Sequence, residues 1–120
     1  MGVRHERVVS ALKREMSRIV HDEIKDKRLG FVTILRVDLT TDLRQAKVYF
    51  SVLGEEREKK ATQEALESAK PFVRYLIARR VKLRFVPEII FRLDKSVEYS
   101  IGIENELDRI KEQNEHKKNN

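Results

Sequence analysis

Ser68–Phe85 reads SAKPFVRYLIARRVKLRF: six lysines and arginines, no acid, and a proline inside an otherwise helical pattern. Phe72, Val73, Leu76, Ile77 and Val81 recur at intervals of three and four, the spacing of one buried stripe. Arg74, Tyr75, Ala78, Arg79 and Lys82 take the other side, while Arg80 falls on the apolar side, to snorkel or to complement the helix dipole. Proline removes a backbone donor and pushes the preceding residue out of the helical region. One helix is therefore expected to end at Lys70 and a second to begin at Pro71.

The neighbouring segments complete the pattern. Upstream, Gly54 and EEREKK open a helix with Glu55–Lys59 and Glu56–Lys60 pairs, continued through Ala61, Ala65 and Ala69. Downstream of Pro87, EIIFRLD predicts a strand with Ile89, Phe91 and Leu93 on one face. FVTILRVDL alternates, placing Phe31, Thr33, Leu35, Val37 and Leu39 opposite Arg36 and Asp38. RQAKVYFSVL does the same, with Ala46, Val48, Phe50 and Val52 opposite Lys47, Tyr49 and Ser51. The polar TTDL between them predicts an antiparallel hairpin. From Val3 to about Ile24, Val8, Val9, Leu12, Met16, Ile19, Val20 and Ile24 form a helical stripe. Arg7, Arg14, Arg18, His21 and Lys25 lie opposite, with Ala11 between them, and Gly30 is a plausible stop.

The chain reads as one α+β domain, a three-stranded sheet with helices on one face. Residues 1–95 form the core. Val97, Ile101, Ile103, Leu107 and Ile110 predict a C-terminal helix over 96–112, and 113–120 a polar, disordered tail.

The net charge is +6, and Ser68–Phe85 supplies all of it: the remaining chain has twenty basic and twenty acidic residues. Such polarisation favours a polyanion, nucleic acid first and an anionic membrane second. There is no cysteine, so disulfides and thiolate zinc sites are excluded. No apolar run reaches the roughly 20 residues that span a bilayer, and the N-terminus lacks a signal-peptide core. A soluble cytoplasmic protein without a membrane partner is expected.

Lys70, Arg74, Arg79, Arg80, Lys82 and Arg84 are the candidate phosphate contacts, with Arg7, Arg14 and Arg18 as a second set. Tyr75 is placed to stack on an unpaired base or to be partly buried. His21, Asp22 and Glu23 are adjacent, so on a helix they point apart. His5 and His116 lie near the termini with no evident partner. No phosphate-binding glycine loop, nucleophile elbow or zinc spacing occurs. No catalytic residue, metal or cofactor is assigned.

The blocks RVVSALKREMSRIV, KDKRLGFVTI, TTDLRQAKVYFSV and LRFVPEIIFRLDKSVE, in this order and spacing, resemble the ribosome-binding factor A family along nearly the whole chain. The resemblance implies a type II KH-like fold whose Gly-x-x-Gly loop is replaced by a kinked helix pair. The chain's glycines, at 2, 30, 54 and 102, make no Gly-x-x-Gly. The family's Ala-x-Gly kink matches Ala69, Lys70 and Pro71, with proline in place of glycine. The resemblance further implies an assembly factor that binds the immature small ribosomal subunit and its ribosomal RNA; a monomer is expected, since nothing in the sequence suggests a large exposed apolar seam. It would support late maturation without catalysis, with ribosomal proteins and an assembly GTPase as further partners. The competing readings are an RNA-processing enzyme or enzyme subunit, and a general single-stranded RNA binder.

Overall fold

The computed structural model describes residues 2–95. The predicted helix over 96–112 and the tail over 113–120 lie outside the described residues. The order is α1 (Val3–Arg18), a π-helical turn (Ile19–Glu23), β1 (Phe31–Leu39), β2 (Gln45–Leu53), α2 (Glu56–Arg80) and β3 (Glu88–Leu93). The sheet order is β1-β2-β3; β1 pairs with β2 antiparallel and β3 with β2 parallel. Both helices pack on one face of the sheet around a single core, the α+β, KH-like arrangement.

In β2, Ala46, Val48, Phe50 and Val52 all face inward, as the alternation predicts. Strand β1 departs from its reading. Ile34 pairs with Phe50 and Arg36 with Tyr49, so Leu35 is the extra residue of a β-bulge. The inward parity switches there: Ile34, Val37 and Leu39 are buried and Val32 half-buried. Phe31 is 81% exposed, Thr33 is exposed and Leu35 is only half-buried, because a one-residue slip exchanges the two faces of a strand.

Helix α2 is a second correction. It runs unbroken for 25 residues through Pro71 instead of dividing there. Lys59, Thr62, Ala65, Leu66, Val73, Leu76 and Ile77 are buried along it, one stripe at three- and four-residue steps on both sides of the proline. Tertiary packing of that stripe holds the helix together, although the Glu67 carbonyl loses the donor that Pro71 lacks. Phe72, assigned above to the buried stripe, sits at its margin and is 43% exposed. The helix starts with a capping box: the Glu55 carboxylate accepts from the backbone of Glu58, whose carboxylate accepts from the Glu55 N–H at 3.0 Å. In the same turn Lys59 lies 3.9 Å from Glu56, and Arg57 lies 4.0 Å from Glu58. Gly54 precedes it at φ +147°, where a Cβ would stand 3.0 Å from Glu58.

The KDKRLG segment is held as a turn by α2. The buried Thr62 hydroxyl accepts the Gly30 N–H at 3.0 Å and donates to the Arg28 carbonyl at 3.4 Å. Thr62→Val keeps the shape and strands both groups, so a loss of about 1–3 kcal/mol in urea unfolding is expected, largely restored by Thr62→Ser. Within the same turn, Arg28 donates to both carboxylate oxygens of Asp26, at 3.1 and 2.7 Å, and its backbone N–H adds a third bond. These bonds hold the Asp26 pKa down, from 3.8 to about 2. A depressed carboxylate stabilises the fold above its ordinary pKa and loses that contribution as pH falls. The difference in urea midpoint between wild type and Asp26→Asn is expected to be constant near neutrality and to close between pH 3.8 and about 2.

Candidate nucleic-acid interface

Six of the nine sequence-predicted cations fall into two environments. The first is an ion-pair network joining α1 to the end of α2. Glu15 occupies the apolar stripe of α1 between Leu12 and Met16 and is buried. Its carboxylate lies 3.6 Å from Arg14, 3.8 Å from Arg18 and 3.8 Å from Arg80. The π-turn that follows, closed by Ile24 N–H to the Ile19 carbonyl at 3.0 Å, brings Glu23 to the same place. Arg80 grips the Glu23 carboxylate with both terminal nitrogens, one of these bonds at 2.5 Å. Hydrogen bonding to Arg80 lowers the Glu23 pKa and the same bond raises that of Arg80.

Arg80 thus fastens the C-terminus of α2 to α1, which explains a cation on the apolar side of the helix. Its charge is matched by protein carboxylates. Arg80→Met is expected to lower the urea-unfolding midpoint, since Glu15 and Glu23 lose hydrogen-bonded or close charge partners. Lys70 is also matched, at 2.8 Å from Glu67 and less than one-third exposed.

The second environment is a groove where the segment after α2 runs beside the first turns of α1. Val81 N–H closes the helix on the Ile77 carbonyl at 2.9 Å, and Val81 turns into the core. Lys82 and Arg84 are then exposed, while Leu83 between them is half-buried. They meet α1 across a cavity of about 580 Å³. Val8, Ala11, Val81 and Leu83 line it, together with Arg4, Arg7, Lys82 and Arg84. Among the described residues none of these four cations forms a salt bridge. Uncompensated charge over an apolar floor is what a phosphate-bearing strand meets favourably.

Arg74 and Arg79 stand between these cases. Arg74 donates to the Val86 carbonyl at 3.2 Å, bracing the segment that carries Lys82 and Arg84. Arg79 lies 5.5 Å over the Tyr75 ring, which is 57% exposed and open to stacking. The structure therefore brings Arg7, Lys82 and Arg84 together, and sets Arg14, Arg18, Arg80 and Lys70 against carboxylates.

Two residues of these environments, Arg4 and Glu15, do not stand out in the sequence as site residues, and His5 gains a partner. Arg4 continues the Arg7–Ala11–Arg14–Arg18 stripe one step earlier, a signal present in the spacing. Glu15 stands on the apolar stripe of α1, and its neighbours in the helix give no sign of Arg80. His5, read as partnerless, donates from Nε2 to the Leu39 carbonyl at 2.9 Å and ties the start of α1 to the end of β1. His21 Nδ1 lies 2.6 Å from Asp22, with both side chains mostly exposed. Among the described residues no three acidic or histidine side chains converge as a metal site, and no helix is long and apolar enough to cross a membrane.

Residues 4–107 match the family model described as ribosome-binding factor A. A ribosome-binding factor A of Halothermothrix orenii is 45% identical over 112 residues, covering 93% of this chain and 92% of that protein. The crystal structure of ribosome-binding factor A from Thermus thermophilus superposes with TM-score 0.68 at 26% identity, covering 76% of this chain and 96% of that one. A homology model of a Thermus thermophilus ribosome binding factor A, fitted into the cryo-EM map of a 30S complex, superposes with TM-score 0.62 at 28% identity. It covers 72% of this chain and 91% of its own. With the sequence blocks, the fold and these matches in agreement, the chain belongs to the ribosome-binding factor A family.

Proposed function

We propose that this protein binds the immature small ribosomal subunit through its ribosomal RNA and supports late maturation by binding energy, without chemistry. The observation that carries the reading is the groove formed by Arg4, Arg7, Lys82 and Arg84, four cations from two chain segments with no salt-bridge partner among the described residues. The relatives' name and the 30S complex into which one of them was fitted support the choice of partner. Phosphates of a folded RNA site take the groove, and Arg79 and Tyr75 extend the surface along α2. A ligand shifts a conformational equilibrium only through its preference for one state, so the factor favours whichever RNA conformation presents phosphates at that spacing. Ala69, Lys70 and Pro71 shape the α2 segment from which Arg74 and Arg79 project. The reading places the protein in the cytoplasm and includes an assembly GTPase among its partners.

The test is co-sedimentation with small subunits, large subunits and intact ribosomes over a salt series. Selective pelleting with small subunits, falling steeply with salt, is expected. Equal affinity for unstructured RNA would replace the reading with a general single-strand binder. Precursor ribosomal RNA incubated with the protein and divalent metal is expected to stay intact; cleavage abolished by changing a carboxylate or His21 would make it a processing enzyme.

A further inference from the structure

Beside the cationic groove lies a second cavity, of about 540 Å³, at the junction of α1, the β1–β2 turn and the segment before β3. Arg4 and Arg84 line both cavities and form the boundary between them. The second differs from the first in its walls, which include Phe85, Leu43, His5 and Asp42. Phe85 is 45% exposed, and the Arg44 guanidinium lies 5.1 Å over its ring. His5 donates from Nε2 to the Leu39 carbonyl, so Nδ1 is the acceptor of the neutral ring. Asp42 Oδ1 accepts from the Thr40 hydroxyl at 2.7 Å and from the Arg44 N–H at 3.1 Å. Oδ2, 3.8 Å from Arg44 Nε, retains acceptor capacity.

This arrangement is rigidly based. The turn is cross-linked by Thr40, whose hydroxyl accepts from Gln45 N–H at 3.0 Å, and Leu43 is held at φ +63°. With Arg4 and Arg84 at the boundary and the Asp42 carboxylate in the wall beyond it, the sugar–phosphate backbone belongs at that boundary and in the neighbouring groove. An aromatic face, two hydrogen-bond acceptors and a volume suited to one small planar ligand remain.

We infer that this cavity receives one unpaired nucleobase of an RNA strand whose phosphates lie on Arg4, Arg7, Lys82 and Arg84, the base stacking on Phe85. The inference rests on the RNA-binding reading above and adds a base subsite to it. Asp42 gives the subsite a preference: it accepts from the exocyclic amine of adenine or cytosine, which uracil lacks.

The two contributions separate by salt dependence, because stacking releases no counterions whereas phosphate contacts do. The experiment titrates the full chain with hexaadenylate and hexauridylate over a salt series, alongside small-subunit co-sedimentation. Phe85→Ala and Phe85→Leu are expected to weaken hexaadenylate binding by about 5- to 150-fold, the range for loss of one base stack, with an unchanged salt slope. Phe85→Tyr is expected to keep it, and hexauridylate to bind more weakly than hexaadenylate.

Hexaadenylate binding that Phe85→Leu leaves intact would overturn the base subsite, as would a salt slope that falls with Phe85→Ala. Absence of oligonucleotide binding by the wild type would overturn it too. In each case small-subunit pelleting that persists leaves the RNA-binding reading standing, and its loss removes both.

Discussion

Exchanging Lys82 and Arg84 for glutamate is expected to lower affinity for the small ribosomal subunit by roughly 100-fold or more at 0.1 M salt. Each side chain, if it contacts one phosphate, contributes a charge-assisted bond of about 1.5–3 kcal/mol. Reversal also introduces repulsion where attraction stood. The salt dependence carries the sharper signature: two fewer phosphate contacts reduce the slope of log affinity against log salt by about 2. Arg57→Glu/Lys60→Glu makes the same change in net charge at the other end of α2, where both residues are exposed. That control is expected to stay within about threefold of wild type, since exposed charges more than a Debye length away are screened. Equal losses in the two variants would mean that net charge, not the groove, determines binding. Circular dichroism and urea unfolding of both variants are expected to match wild type, because none of the four side chains enters the core.

Phe50→Ala has the largest expected effect on stability. Phe50 is fully buried in β2, the central strand, with Ile34 of β1 and Leu93 of β3 as its register partners. Its ring meets Phe91 edge to face, with centroids 6.4 Å apart. Truncation removes the aromatic pair and opens a cavity that three paired strands cannot close, so a loss of about 3–5 kcal/mol is expected in urea unfolding. A domain of this size holds only about 5–15 kcal/mol in total, so the variant stands near the limit of folding.

Phe31→Ala is the informative contrast. Strict alternation along β1 puts Phe31 inside; the bulge at Leu35 puts it outside, and its truncation is expected to change stability by no more than about 0.5 kcal/mol. A loss above 2 kcal/mol for Phe31→Ala would mean the strand pairs without the bulge.

Much of the fold is legible in local patterns. The α1 stripe, the alternation of β2, the polar TTDL turn and the Ile89–Phe91–Leu93 face all appear in the structure where their spacing puts them. Each is a case in which burial and period agree over several consecutive residues, so neighbours along the chain carry the information. The polarised charge of Ser68–Phe85 is legible for the same reason, and with it the expectation of a polyanionic partner.

The candidate interface is legible only in part. A count of cations treats Arg80 and Lys82 alike, two residues apart in one basic run. Arg80 is held by Glu23, 57 positions away, whereas Lys82 faces solvent beside Arg7. That distinction depends on which side of α2 meets α1. It depends too on a π-turn that advances Glu23 to the right height, and neither is written in the spacing around position 80.

The bulge and the unbroken α2 have the same origin. FVTILRVDL carries apolar residues in both parities, Val32 and Ile34 before Leu35, Val37 and Leu39 after it. Only pairing with an uninterrupted β2 selects where the parity switches. Pro71 is locally a helix breaker, and the stripe from Lys59 to Ile77 packing on the sheet outweighs it. Period and composition act between residues close in sequence, and they specify which elements form and which charges predominate. Pairing register, ion-pair partners and the groove itself arise between residues far apart in the chain, where only the closed tertiary structure brings the interacting groups within reach.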